Sequence, residues 1–134
     1  MAKNNYAEIS VSVAKYFAGV NNHELAKKWD QSLDGNGKSC PRITFLGLCE
    51  DGWVKGIKRG NYILRRRKYP NNKDYAVEGA KIVLANPSKE YLASQLWAEV
   101  KRALPDGAEN HNQQMTVVIA LMNNDLLQYP PLTE

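Results

Sequence analysis

The sequence predicts an all-α fold of about six helices, arranged as two pseudo-symmetric three-helix units joined by a basic connector. Three observations carry this. Apolar residues recur at three- and four-residue steps along most of the chain, the spacing that places side chains on one face of a helix. The segments so patterned are divided by Gly-, Asn- and Pro-rich breaks such as Asp34-Gly35-Asn36-Gly37, Asn86-Pro87-Ser88 and Pro105-Asp106-Gly107. The order of elements in the first half then returns in the second. At 134 residues, with 43% hydrophobic and 24% charged residues, the chain is expected to be one domain, 1–134, that buries a core without disulfides or metal.

The first helix begins at Tyr6 and carries Ile9, Val13, Tyr16, Phe17 and Val20 on one face; Gly19 suits its close. Asn22 offers a cap to the second helix, which turns Leu25, Trp29 and Leu33 inward. Pro41 fits the first turn of a third, where its missing N–H would have no partner anyway, and Ile43–Cys49 reads as buried, with Gly52 as the stop. Tyr62-Ile63-Leu64 fits a short strand and a helical turn equally well.

Asn72 starts a fourth helix with Ala76, Ala80, Val83 and Leu84 together. Asn86-Pro87-Ser88 ends it and opens the fifth, where Leu92, Leu96, Val100 and Leu104 fall four apart beside Trp97. The sixth starts near Asn110, with Gln113 placed for a capping box, and presents Met115, Val118, Ile119, Met122 and Leu126.

The repeat halves are 4–54 and 72–128. Tyr6-Ala7 echoes Tyr75-Ala76, and the run before Trp29 resembles the run before Trp97. The third helices match best: Phe45–Val54 overlays Val118–Leu127 with large, small and polar classes in step.

The string C-P-R-I-T-F-L-G-L-C-E-D-G-W-V-K-G-I from Cys40 to Ile57, followed by G-N-Y, N-K-D-Y-A and H-N-Q-Q-M-T-V-V-I-A-L, resembles a family of small uncharacterised bacterial proteins, over most of the chain. The resemblance implies a bacterial or phage-related cytoplasmic setting and transfers no activity, cofactor or catalytic residue. Where it leads one to expect Thr after the G-N-Y tyrosine, this chain has Ile63 and then an Arg-rich run.

Groups suited to catalysis are sparse. His23 reads as a solvated first-turn residue, and His111 sits among cap-type residues Asn110, Asn112 and Gln113. Cys40, at a helix start that favours a thiolate, is the one nucleophile worth weighing, and spacing identifies no partner His for it. Glu50 and Asp51 are adjacent and diverge on a helix, so they read as a solvated end. Gly52, Gly56 and Gly60 match no phosphate loop. Cys40 and Cys49 point to opposite sides of a helix and suit neither a disulfide nor zinc. No catalytic residue, metal or cofactor is expected.

Charge carries the strongest functional signal. The net charge is +4, yet Gly52–Lys73 holds eight basic and no acidic residues, leaving ten basic against fourteen acidic elsewhere. Within that segment Lys58, Arg59, Arg65, Arg66, Arg67 and Lys68 are the expected contacts to an anionic partner such as nucleic acid, with Tyr62 and Tyr69 placed to stack on bases. A second expectation is an accessory protein that binds a protein partner or itself through exposed Trp53 and Ile57. A third is a small enzyme using Cys40. A helix-turn-helix with a following wing fits less well, because Phe45–Cys49 is apolar where a recognition helix should be polar. No apolar run nears the roughly 18 residues of a membrane span and no secretory layout opens the chain, so a cytoplasmic protein with no membrane partner is expected.

Overall fold

Asn5 starts the first helix by accepting the Glu8 N–H on its side-chain oxygen at 3.0 Å, satisfying one of the donors that a helix start leaves over. The computed structural model describes residues 5–18, 24–32, 39–60, 62, 72–105 and 114–130, with Ser39 and Cys40 described in backbone only. Six helices follow in order: α1 (Tyr6–Phe17), α2 (Leu25–Gln31), α3 (Ser39–Asp51), α4 (Asn72–Ala85), α5 (Ala93–Ala103) and α6 (Gln114–Asn123). Among the described residues there is no strand, only an isolated antiparallel bridge between Val54 and Leu127, and the fold is all-α.

α3 and α6 form the centre because their sequences are apolar nearly all round, as a helix surrounded by protein must be. α3 buries Ile43, Thr44, Phe45, Leu46, Leu48 and Cys49; α6 buries Met115, Val117, Val118 and Leu121. The two pack on each other, α1 packs mainly on α6, and α4 packs on α3, α5 and α6. α2 lies against α1, and α5 lies against α4 and α6. Val117 and Leu121 join the core although they fall off the face read from the sequence, since α6 meets neighbours on several sides.

Two aromatic pairs hold the outer helices. Tyr6 stacks on Trp29, with ring centroids 5.9 Å apart and planes 8° from parallel, and the Trp29 indole N–H donates to the buried Ser10 hydroxyl at 3.2 Å. Tyr75 meets Trp97 edge to face at 5.1 Å. Tight packing joins α4, α5 and α6 at Gly79, where a Cβ would lie 3.1 Å from the Met115 sulfur and 3.7 Å from a Leu96 methyl.

Three expectations change. Tyr16 is 63% exposed and lies under the Lys28 ammonium, 4.6 Å from its ring centre; Ser10 and Ala14 fill the face of α1 instead. The fifth helix starts at Ala93, several residues after Pro87-Ser88. Tyr91 takes the core seat, so its neighbour Leu92 points outward at 66% exposure, its N–H held by the Gln95 side chain at 3.0 Å. Glu24, lacking a side-chain cap bond, precedes α2. Gly19, Val20, Asn22, Leu33 and the stretch 106–113 lie outside the described residues.

Candidate functional site

The site grows from the end of α3. Gly52, at φ 90°, turns the chain left-handed, its N–H donating to the Cys49 carbonyl at 3.3 Å and that of Trp53 to the Leu48 carbonyl at 3.0 Å. The chain then returns across the body. Trp53, Val54 and Ile57 are buried, and Lys55 sits between them with its N–H on the Leu126 carbonyl at 2.7 Å. Trp53 is 6% and Ile57 5% exposed, so the apolar contact patch expected from them does not exist: both are core. Their hydrophobicity reads the same at a surface patch and under a returning strand, and only the tertiary course separates the two.

From Ile57 the chain turns outward. Lys58, Arg59 and Gly60 are exposed, and three hydrogen bonds tie the turn down. The Gly60 N–H donates to the Glu50 backbone carbonyl at 3.4 Å, the Tyr62 N–H to the Glu50 carboxylate at 2.9 Å, and the Tyr62 hydroxyl to the Lys58 carbonyl at 2.6 Å. Glu50 thus anchors the turn, and its other oxygen accepts from Lys73 at 2.9 Å. Lys73 also reaches Asp51 at 3.2 Å. The Glu50-Asp51 pair is therefore more than a solvated helix end: a lysine from α4 joins the two carboxylates. Sequence reasoning missed this hub, because nothing local in residues 50, 51 and 73 announces that α3 and α4 meet there.

The hub alters its ionisable groups. Burial works against the charged form of Lys73, but hydrogen bonds to Glu50 and Asp51 outweigh it and raise the ammonium pKa. Burial, with the neighbouring Cys49 and Glu50 charges, pushes Tyr62 up to about 12. Burial raises the Cys49 thiol well above its ordinary value, which keeps it protonated and a poor nucleophile.

Four of the eight basic residues of 52–73 fall in the described part. Lys55 pairs with Asp125 at 2.7 Å and Lys73 with Glu50 and Asp51, so the two ends of the strip are bound to local carboxylates. Lys58 and Arg59 stand at the exposed turn between. Arg65, Arg66, Arg67 and Lys68 lie outside the described residues, as do His23, His111 and the Cys40 side chain. A hollow of about 230 Å³ beside Lys73 is bordered by Asp51, Asp74 and Glu78 together with Lys81, a mixed lining with no preference for an anion. Among the described residues no group of His, Cys, Asp and Glu could hold a metal ion, and no helix is long and apolar enough to cross a membrane.

A model of the family of unknown function DUF6979 matches residues 3–128. The chain belongs to that family. The match takes in all six helices of this DUF6979 protein, the Glu50 hub and the whole basic strip. No curated protein and no solved structure matches the chain.

Proposed function

We propose that this DUF6979 protein is a non-enzymatic binding module of the bacterial cytoplasm whose anionic partner is nucleic acid, contacted through Lys58, Arg59, Arg65, Arg66, Arg67 and Lys68. The observation that carries the reading is the way the exposed turn is held. Ile57 is sunk in the core on one side, Tyr62 is bonded to Glu50 on the other, and Lys58 and Arg59 stand out between them. A cation on a fixed backbone loses less freedom on meeting a phosphate than one on a loose loop. The strip's outer cations, Lys55 and Lys73, pair with carboxylates of the fold, and the reading places the contact with the partner on the six residues named.

Fluorescence anisotropy with labelled single-stranded and duplex oligonucleotides tests this. Six phosphate contacts give log Kd a dependence on log salt of slope about 4 to 5 between about 50 mM and 200 mM salt. Replacing Arg65, Arg66 and Arg67 by Ala should lower the slope by about 2 to 3. Binding that ignores salt, or a triple variant that binds like its parent, removes the proposal.

A further inference from the structure

We infer that the chain is a fused, intertwined pair: two copies of one three-helix unit, α1–α3 and α4–α6, each laying its first helix on the other's third, about a local two-fold axis through the Val54–Leu127 bridge.

The case rests on one offset. Adding 73 to each residue at the end of α3 gives the residue that does the same at the end of α6. Gly52 N–H to Cys49 O at 3.3 Å becomes Asp125 N–H to Met122 O at 3.1 Å, and Trp53 N–H to Leu48 O at 3.0 Å becomes Leu126 N–H to Leu121 O at 2.9 Å. Both closures place a residue at positive φ, 90° at Gly52 and 60° at Asp125. Two residues beyond each, Val54 and Leu127 face one another across the bridge.

An antiparallel bridge always carries a dyad between the paired residues, so the reciprocal bonds Lys55 N–H to Leu126 O and Gln128 N–H to Trp53 O follow from pairing alone. What pairing does not require is that this dyad fall two residues past the left-handed residue of both closures. Nor does it require the side chains to obey it. Lys55 reaches across to the Asp125 carboxylate at 2.7 Å, and its counterpart Gln128 reaches across to the Gly52 carbonyl at 3.0 Å, so each returning segment grips the left-handed residue of the other.

The helices repeat the relation. α4 packs on α3 as α1 packs on α6, and α2 sits against α1 as α5 sits against α4; elsewhere the match is looser, since among the described residues α4 packs on α6 more than α1 does on α3, and α5 packs on α6 where α2 has little contact with α3. The start of α4 meets the end of α3 where Lys73 approaches Gly47 and bonds Asp51; the start of α1 meets the end of α6 where Asn5 and Glu8 border a hollow with Ala120 and Asn124. Gly47 and Asp51 become Ala120 and Asn124 under the same offset. Tyr6 with Trp29 and Tyr75 with Trp97 join the first and second helix of each unit through an aromatic pair, stacked in one and edge to face in the other. Two unrelated amphipathic helices ended by polar loops would share the closures and, once paired, the reciprocal backbone bonds, but not the placement of the dyad or the reach of the side chains across it. The units part company past the bridge, where Lys55-Gly56-Ile57-Lys58-Arg59 stands against Gln128-Tyr129-Pro130-Pro131-Leu132. The inference is independent of whether those cations bind nucleic acid.

A two-fold pair makes a geometric demand on the part that matches: Leu127 must stand to Tyr6 as Val54 stands to Tyr75. A copy of residues 55–74 should then join Leu127 to Tyr6 over the same span. The test compares the linear protein with a backbone-cyclised form closed by that copy, and with a permuted form opened inside the original 61–71. Cyclisation is expected to raise Tm by about 4 °C or more, since closure restricts only the unfolded chain. The permuted chain is expected to melt cooperatively with the parent's near-ultraviolet Trp signal. A cyclised chain whose Tm is unchanged or lower overturns the inference, whatever the permuted chain does.

Discussion

Gly52 and Asp125 occupy the same left-handed corner with unequal ease. At φ 90° Gly52 lies where a Cβ is strained, and Gly52→Ala should cost about 1–2 kcal/mol in denaturant unfolding. Asp125, at φ 60°, is among the residue types that tolerate this region, and its carboxylate pairs with Lys55 in solvent, an interaction worth little. Asp125→Gly relieves strain and gives up a weak pair, so its stability should stay within about 1 kcal/mol of the parent. A loss at position 125 as large as that at 52 would show that the Lys55 contact, not the backbone, governs the turn. The Glu50 hub adds a pH signature of definite sign. Tyr62 and Lys73 both have folded pKa values above their unfolded ones, so the folded state holds protons that the unfolded state has released. The stability they contribute is complete below about pH 10 and drains away from 10.0 towards 12 for Tyr62 and above 10.5 for Lys73. Denaturant midpoints measured from pH 8 upward should begin to fall near pH 9, where the Cys49 thiol ionises in the unfolded chain alone, and continue through this window, and Tyr62→Phe should flatten the upper part of the fall.

Elements were legible to the degree that one face decided them. α4 follows its sequence pattern through Ala76, Ala80 and Val83, and α3 follows from Pro41 to Gly52, because the residues that pack are also the residues that set the period. α5 shows where such reading stops. A four-residue spacing extends back to Leu92, but the turn after Pro87 delivers Tyr91 to the interior and leaves Leu92 facing out. The contact of α4, α5 and α6 at Gly79 was not legible either, since a glycine inside a helix advertises no partner. Gly79→Leu would drive a branched side chain into Met115 and Leu96 and should cost more than about 2 kcal/mol, with circular dichroism still showing helix while the thermal transition shifts down. An unchanged Tm would mean the three helices are spaced more widely than described.

At the scale of the molecule, charge was legible as a quantity and only partly as a place. Counting located the whole positive surplus between Gly52 and Lys73. It did not separate cations that hold the fold from cations that face solvent, because that depends on carboxylates far along the chain: Asp125 for Lys55, and Glu50 with Asp51 for Lys73. Trp53 and Ile57 carry the same lesson for apolar residues. They lie in a basic run, yet the segment carrying them crosses the end of α6, so the core claims them. The salt dependence of oligonucleotide binding belongs to this scale, since it counts the phosphates that the cations neutralise together.

Cys49 lies wholly enclosed at the end of α3, its sulfur out of reach of any dissolved reagent. In a Cys40→Ser background, alkylation of the one remaining thiol can proceed only in molecules that have come apart at the centre. The rate of labelling under native conditions then serves as a clock for opening of the interior, with no dye, tag or denaturant needed to read it.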